Sequence, residues 1–217
     1  MVVVADAAVV ALLTRAPGRG GKSRLFAELQ IAGDPVLLTA LLLDTLDGVA
    51  VPGVARVIAV EPPDACDEVR AIAPADVAVV PQASGDLGDR MRALMADLFA
   101  RGARAVVLVG SDLPDIETGV VADAFAELAV HPDAIVVGPA LDGGYYLLGA
   151  AGRVPPVFDA IRWGSADVLS QTRAEAERHG VPVVLVTPSG DVDTLADLRR
   201  VTARRTREWR RAFFGEE

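Results

Sequence analysis

Cysteine, histidine, lysine and asparagine are almost missing from this chain. Its 217 residues hold one cysteine, Cys66, and two histidines, His131 and His179. A single thiol can close no internal disulfide and build no cysteine zinc site, and two imidazoles leave little for a histidine metal cage. Asparagine is absent, and of the 21 basic residues only Lys22 is a lysine. Long apolar runs are missing too. The opening MVVVADAAVVALLT is broken by Asp6, and no basic region precedes it. It reads as neither a signal peptide nor a membrane span. The formal net charge of -9 argues against nucleic-acid binding over the whole surface. These absences describe a soluble protein of a reducing compartment, most simply the cytoplasm.

What is present is ordinary globular material. Hydrophobic residues make up 52% and charged residues 24% of the chain, which excludes disordered and low-complexity classes. The length suits one domain over residues 1–217. Short apolar runs at 8–14, 55–60, 77–80, 105–109, 134–137 and 181–187 read as strands. Between them lie helical patterns at 35–46, 86–100, 117–128 and 166–179, with a basic helix over about 194–214. Asp34-Pro35 supplies an N-cap and a first-turn proline. Alternation of this kind predicts an α/β fold of three layers, a doubly wound and mostly parallel sheet. Residues 145–148 follow Asp142-Gly143-Gly144, a turn signal that makes them a short antiparallel element. His179-Gly180 reads as a helix end and His131-Pro132 as a turn, so neither imidazole is assigned to catalysis.

After the first strand comes Arg15-Ala16-Pro17-Gly18-Arg19-Gly20-Gly21-Lys22-Ser23-Arg24-Leu25. Glycines between a strand and a helix let backbone N–H groups approach phosphate oxygens. Arg15, Gly18, Gly20, Gly21, Lys22, Ser23 and Arg24 are therefore the candidate nucleotide-binding set. Lys22 acts as a point charge on a polyphosphate and Arg24 as a planar fork. A P-loop is the competing reading, with Ala16 where its first glycine belongs. Gly33-Asp34-Pro35 opposes it, because the helix after the loop would be cut to about two turns.

Lys22-Ser23-Arg24-Leu25 resembles the KSRL or KTRL signature of nucleotide-dependent transferases with the glycosyltransferase-A fold, also called the nucleotide-diphospho-sugar transferase fold. Four later stretches extend the resemblance: GDLGDRM from Gly85, GSDLP from Gly110, GPALDGGYYLLG from Gly138 and DVDT from Asp191. The chain most resembles a bacterial family of glycosyltransferases, some linked to arsenosugar biosynthesis. It is similar at greater distance to the phospholactate guanylyltransferases. The departures are Arg15, where that family often has lysine, and Ser23 for the commoner threonine.

Carboxylates supply the rest of a site. Asp112 follows a central strand at the edge where open α/β sheets bind ligands, and beside phosphates it suits a hard cation, Mg²⁺ or Mn²⁺. The resemblance implies the same role. Asp191 and Asp193 share a side if their segment is extended, one to reach the metal and one to cap the helix. The resemblance favours Asp193 as the ligand, and Asp115 is the expected cap of the helix after Asp112. Gln82 and Gly85 lie in the loop that, in the superfamily, touches base or ribose; Asp86 reads equally as a helix cap. The acceptor side is implied by resemblance for Asp142, Gly143, Gly144, Tyr145, Trp163 and Ser165.

The reading favoured is a metal-dependent transferase that moves a nucleotidyl group from a nucleoside triphosphate to a small anionic acceptor. Such an acceptor needs no general base, which suits a chain without a catalytic histidine. Mg²⁺ held by Asp112, together with Lys22 and Arg24, would carry the charge neutralisation. The alternative is glycosyl transfer from a nucleotide sugar, with Asp142 as base. Non-catalytic nucleotide binding and a P-loop NTPase complete the set. The segment from Arg199 to Glu217 has seven arginines and three glutamates, 7 − 3 = +4. It reads as a terminal helix pairing with the acidic body, although a membrane, a nucleic acid or a second subunit in a homodimer would also fit such a face.

Overall fold

Valine-rich runs too short for helices become strands, and the structure, a computed structural model, describes residues 6–215. The strands are β1 (Ala8–Arg15), β2 (Val54–Glu61), β3 (Ala78–Pro81), β4 (Ala105–Gly110), β5 (Ile135–Pro139), β6 (Tyr145–Ala151) and β7 (Val183–Leu185). They form one seven-stranded sheet in the order β3-β2-β1-β4-β6-β5-β7. β6 runs antiparallel to both β4 and β5, and every other pairing is parallel. The anticipated doubly wound α/β sheet with one antiparallel element is what forms. Of the apolar opening, residues 1–5 lie outside the described residues.

The helices are α1 (Ser23–Leu29), α2 (Pro35–Gly48), α3 (Cys66–Ile72), α4 (Leu87–Ala100), α5 (Thr118–Val130), α6 (Val168–Arg178), α7 (Leu195–Arg200) and α8 (Arg204–Phe214). Each face of the sheet carries its own core. Val10, Leu12, Ile58 and Val107 pack with Leu42 and Leu46 of α2 and Leu128 of α5. On the reverse face Val9, Ala11, Val57 and Leu108 meet Met91 and Met95 of α4 and Ala176 of α6. Strands buried on both faces explain why the apolar runs are continuous rather than alternating. A third cluster joins Leu25 and Phe26 of α1 to Leu37, Leu41, Val192 and Leu198. It fixes the loop after β1 against the segment before α7. Among the described residues no helix is long and apolar enough to cross a membrane.

The expected helix over 194–214 is two helices, because capping from the body overrides local propensity at 201–203. Asp115 accepts from the backbone N–H groups of Thr202 and Ala203 at 3.0 and 2.7 Å. Asp44, buried on α2, accepts from the N–H groups of Arg205 and Thr206 at 3.2 and 2.8 Å. Arg210 donates to the carbonyl of Arg199 at 2.6 Å. Donors and acceptors that a continuous helix would use internally are thus satisfied from outside. Asp115 therefore binds the turn that leads into α8, whose first-turn N–H groups go to Asp44, and does not cap α5, whose N-cap is Glu117. Of the α8 arginines, Arg205 reaches Asp44 and Asp47 of the body at 3.1 and 2.6 Å, while Arg204 pairs with Glu208 of its own helix.

Candidate active site

β1 hydrogen-bonds to β2 on one side and β4 on the other, so the chain order reverses between β1 and β4. That reversal opens a crevice at the carboxyl ends of the two strands. The loop after β1 enters it through three left-handed residues in a row, Gly20, Gly21 and Lys22, with φ of 78°, 132° and 48°. Two glycines make this path accessible; Lys22 adopts it with a side chain attached, which costs about 1 kcal/mol. The turn aims the lysine across the crevice mouth.

Lys22 Nζ lies 2.6 Å from Asp193 Oδ1, 3.3 Å from Asp191 Oδ2, and in contact with Asp112. One oxygen from each of these three carboxylates lies within 4.8 Å of the others. Val192 explains how both flanking aspartates reach the same place. Its side chain is buried in the third cluster and its N–H donates to the Asp112 carbonyl at 3.0 Å, so Asp191 and Asp193 project together. Neither caps α7; Thr194 does, in a box with Asp197.

The electrostatics follow from this crowding. Burial would lower the Lys22 ammonium, but the charge of Asp112 and hydrogen bonds to Asp112 and Asp193 outweigh it and hold the pKa above the ordinary lysine value. Burial and then the Asp112 charge raise Asp191, with Lys22 opposing. Three hard oxygen donors suit a small divalent cation. The Lys22 ammonium already stands among the carboxylates as a monovalent counterpart. Asp112, Asp191 and Asp193 could hold a metal ion.

Two cavities meet at Gly110 and Asp112. The smaller, about 250 Å³, is lined by Arg15, Gly20, Gly21, Lys22 and Ser111, among others. The larger, about 400 Å³, is lined by Asp142, Gly144, Tyr145, Trp163 and Ser165, together with apolar residues of α4, β4 and β6. Gly143 stands behind it, with its carbonyl accepting from Leu169 N–H at 3.1 Å. Asp142 Oδ1 accepts from Gly144 N–H at 3.0 Å and so stabilises its own turn.

Other expected contacts fall elsewhere. The Gly18 N–H is taken by Glu68, and Ser23 is simply the first residue of α1. Arg24 is 75% exposed and turns toward Glu28, lining neither cavity. Arg15 pairs with Glu61 at 2.9 Å on the rim. Gln82 is buried, and its amide N–H groups go to the carbonyls of Thr14 and Ala59 at 3.0 and 2.8 Å. It ties β1 to β2 instead of offering those hydrogens to a base. The Gly85 carbonyl is engaged by Arg90 at 3.0 Å, and Asp86 caps α4. Lys22 itself is only 13% exposed at its side chain.

One contributor carries no sequence signal. Thr45, fully buried on α2, accepts from Leu113 N–H at 3.0 Å and donates to Leu41 O at 2.8 Å. It shapes the turn that presents Asp112, yet an isolated threonine in an apolar helix announces nothing.

Comparison with known proteins adds the following. Residues 45–165 match the family described as an uncharacterized protein conserved in bacteria, DUF2064. A 3-phospho-D-glycerate guanylyltransferase of Phenylobacterium zucineum (strain HLK1) is 32% identical over 182 residues, covering 81% of this chain and 80% of that one. A crystal structure from Desulfovibrio desulfuricans G20, assigned as a nucleotide-diphospho-sugar transferase, superposes with a TM-score of 0.84 at 30% identity, over 97% of this chain and 98% of its own. The CTP complex of CMP:2-keto-3-deoxy-manno-octonic acid synthetase shares the fold, at TM-score 0.61 and 16% identity over 94% of this chain and 99% of that one.

Proposed function

The chain belongs to the DUF2064 family, and from its site we propose that it transfers a nucleotidyl group from a nucleoside triphosphate to a small acceptor. The observation that carries this is the meeting of Lys22 with Asp112, Asp191 and Asp193 where the glycine loop and β4 end. The relative named as a guanylyltransferase supports it.

In this reaction an acceptor oxygen forms a bond to the α-phosphorus. The bond from that phosphorus to the α–β bridging oxygen breaks, and pyrophosphate leaves with its electron pair. The smaller cavity receives the phosphates. Its backbone at Gly20 and Gly21 permits close approach, while Lys22 and Arg15 stand on its wall. Lys22 neutralises phosphate charge that grows on the leaving group. Asp112, Asp191 and Asp193 would hold Mg²⁺ or Mn²⁺; bound there, the ion screens phosphate charge and polarises the α-phosphate. No protein base is required when the attacking oxygen is already anionic, and neither His131 nor His179 lines the cavities. The single thiol, Cys66, is compatible with a reduced cytoplasm.

Asp142 on the larger cavity supports a second reading. A carboxylate there could take the proton of an acceptor hydroxyl in glycosyl transfer from a nucleotide sugar. Calorimetric titration of nucleoside triphosphates and nucleotide sugars, with and without Mg²⁺, tests the two. Nucleotidyl transfer predicts Mg²⁺-dependent binding of a triphosphate more tightly than of the matching nucleotide sugar. The reverse order favours glycosyl transfer.

A further inference from the structure

The two cavities that meet at Asp112 differ in charge. Arg15 and Lys22 line the smaller one. Among the described residues the larger is lined by no lysine, arginine or histidine; its charged residues are Asp112, Asp142 and Asp191. Nearby guanidinium groups are engaged elsewhere. Arg162 donates to Asp167 at 3.2 Å, Arg90 to Gly85 O at 3.0 Å, and Arg92 pairs with Asp159.

Apart from Ser165 and backbone at the glycines, the remaining wall is apolar and aromatic, from Leu87 and Met91 on α4 across Leu108 and Leu148 to Tyr145 and Trp163. Its rings are held in place. Tyr145 and Trp163 meet edge to face at a centroid distance of 6.4 Å. The indole packs so closely on α4 that a Cβ at Gly88 would stand 2.6 Å from it. The Tyr145 hydroxyl is buried beside the Thr172 hydroxyl, so this residue presents its ring to the cavity, not its polar end. A second anionic group placed here would lose water, face Asp142 and Asp191, and find no cation. An apolar body would instead displace water from an apolar wall and pack against fixed rings.

Resting on the nucleotidyl-transfer reading, we propose that the larger cavity takes the body of the acceptor, and that this body is uncharged and aromatic or aliphatic. The acceptor's one anionic group is then the attacking phosphate or carboxylate, placed at the Asp112 edge where Lys22 supplies positive charge and a metal ion held by the aspartates would add to it. This separates the chain from a phosphoglycerate acceptor of the kind its 32%-identical relative is named for, which carries charge at both ends.

The test is calorimetry on the full chain with Mg²⁺ and a saturating triphosphate analogue carrying a methylene bridge between α and β phosphorus. Phenyl phosphate and 3-phospho-D-glycerate are the two titrants. Phenyl phosphate should bind at least about tenfold more tightly, and Leu87→Arg, at an exposed helix start, should shift the preference toward 3-phospho-D-glycerate. Arg162→Ala and Arg90→Ala should leave both affinities unchanged. Equal affinities, a preference for 3-phospho-D-glycerate, or binding of neither ester overturns the proposal. So does loss of ester binding in either arginine variant, or displacement of the analogue by phenyl phosphate, which would make the cavity a base site. Failure of any triphosphate to bind with Mg²⁺ is a separate result, and strikes the nucleotidyl-transfer reading itself.

Discussion

Lys22 Nζ donates to Asp193 Oδ1 at 2.6 Å across 171 positions of sequence. The only lysine of the chain thus closes its loop onto the carboxylates that would hold a metal. On the proposed reading, a metal–nucleotide complex would exchange these partners, the ammonium turning to phosphate and the aspartates to the cation.

Replacing that lysine therefore has opposite effects on two ligands. Lys22→Ala leaves three clustered carboxylates without their counter-ion. Because the carboxylates are partly exposed, breaking the cluster this way costs only about 1 kcal/mol of stability. Mg²⁺ alone should then raise the melting temperature more than in the unaltered chain, whereas triphosphate affinity should fall by about tenfold or more. Calorimetry and thermal unfolding read both.

Asp112 is the aspartate shared by both cavities and the cluster. Asp112→Asn should abolish the Mg²⁺ dependence of triphosphate binding while the far-ultraviolet circular dichroism spectrum stays the same. An undiminished metal dependence would remove Asp112 from the ligand set.

Acid should loosen the segment behind the cluster. Burial opposes ionisation of Asp197, but hydrogen bonds from Thr194, Arg200 and Asp193 N–H hold its pKa below the ordinary aspartate value. A depressed carboxylate contributes stability that is present above its unfolded pKa and lost as pH falls through the folded one. Asp197→Ala should therefore cost about 1–2 kcal/mol at neutral pH, and the difference should shrink below about pH 4. Urea unfolding at several pH values measures it.

The terminal helix depends on carboxylates of the body. Asp44 accepts from Arg205 N–H, Thr206 N–H and Thr206 Oγ while 5% exposed. Asp44→Ala should destabilise the chain by about 2–3 kcal/mol and raise hydrogen exchange along α8. Triphosphate affinity should not change, since Asp44 lines neither cavity.

Much of this architecture was legible because it is local. Valine runs, Asp34-Pro35, the Asp86 cap and the turn at Asp142 each declare their element within a few residues. The split between α7 and α8 was not, because Asp44 and Asp115 bind backbone N–H groups there from 161 and 87 residues away. The α3 helix was hidden too: its seven residues are too few to show a period. Residue type marked Lys22 and Asp112, and alternation marked Asp191 and Asp193. The partners of Arg24 and Gln82 were not legible, since a basic or amide side chain in a ligand-edge loop does not reveal whether a neighbour such as Glu28 or the Thr14 carbonyl already holds it.

The bond broken decides the central claim. Nucleoside triphosphates and nucleotide sugars are incubated with the full chain, Mg²⁺ and a panel of phosphate and carboxylate acceptors, and the released product is identified. Nucleotidyl transfer predicts pyrophosphate from at least one triphosphate, dependent on both acceptor and Mg²⁺ and lost in Asp112→Asn. Nucleoside diphosphate from a sugar donor, with no pyrophosphate from any triphosphate, would contradict it.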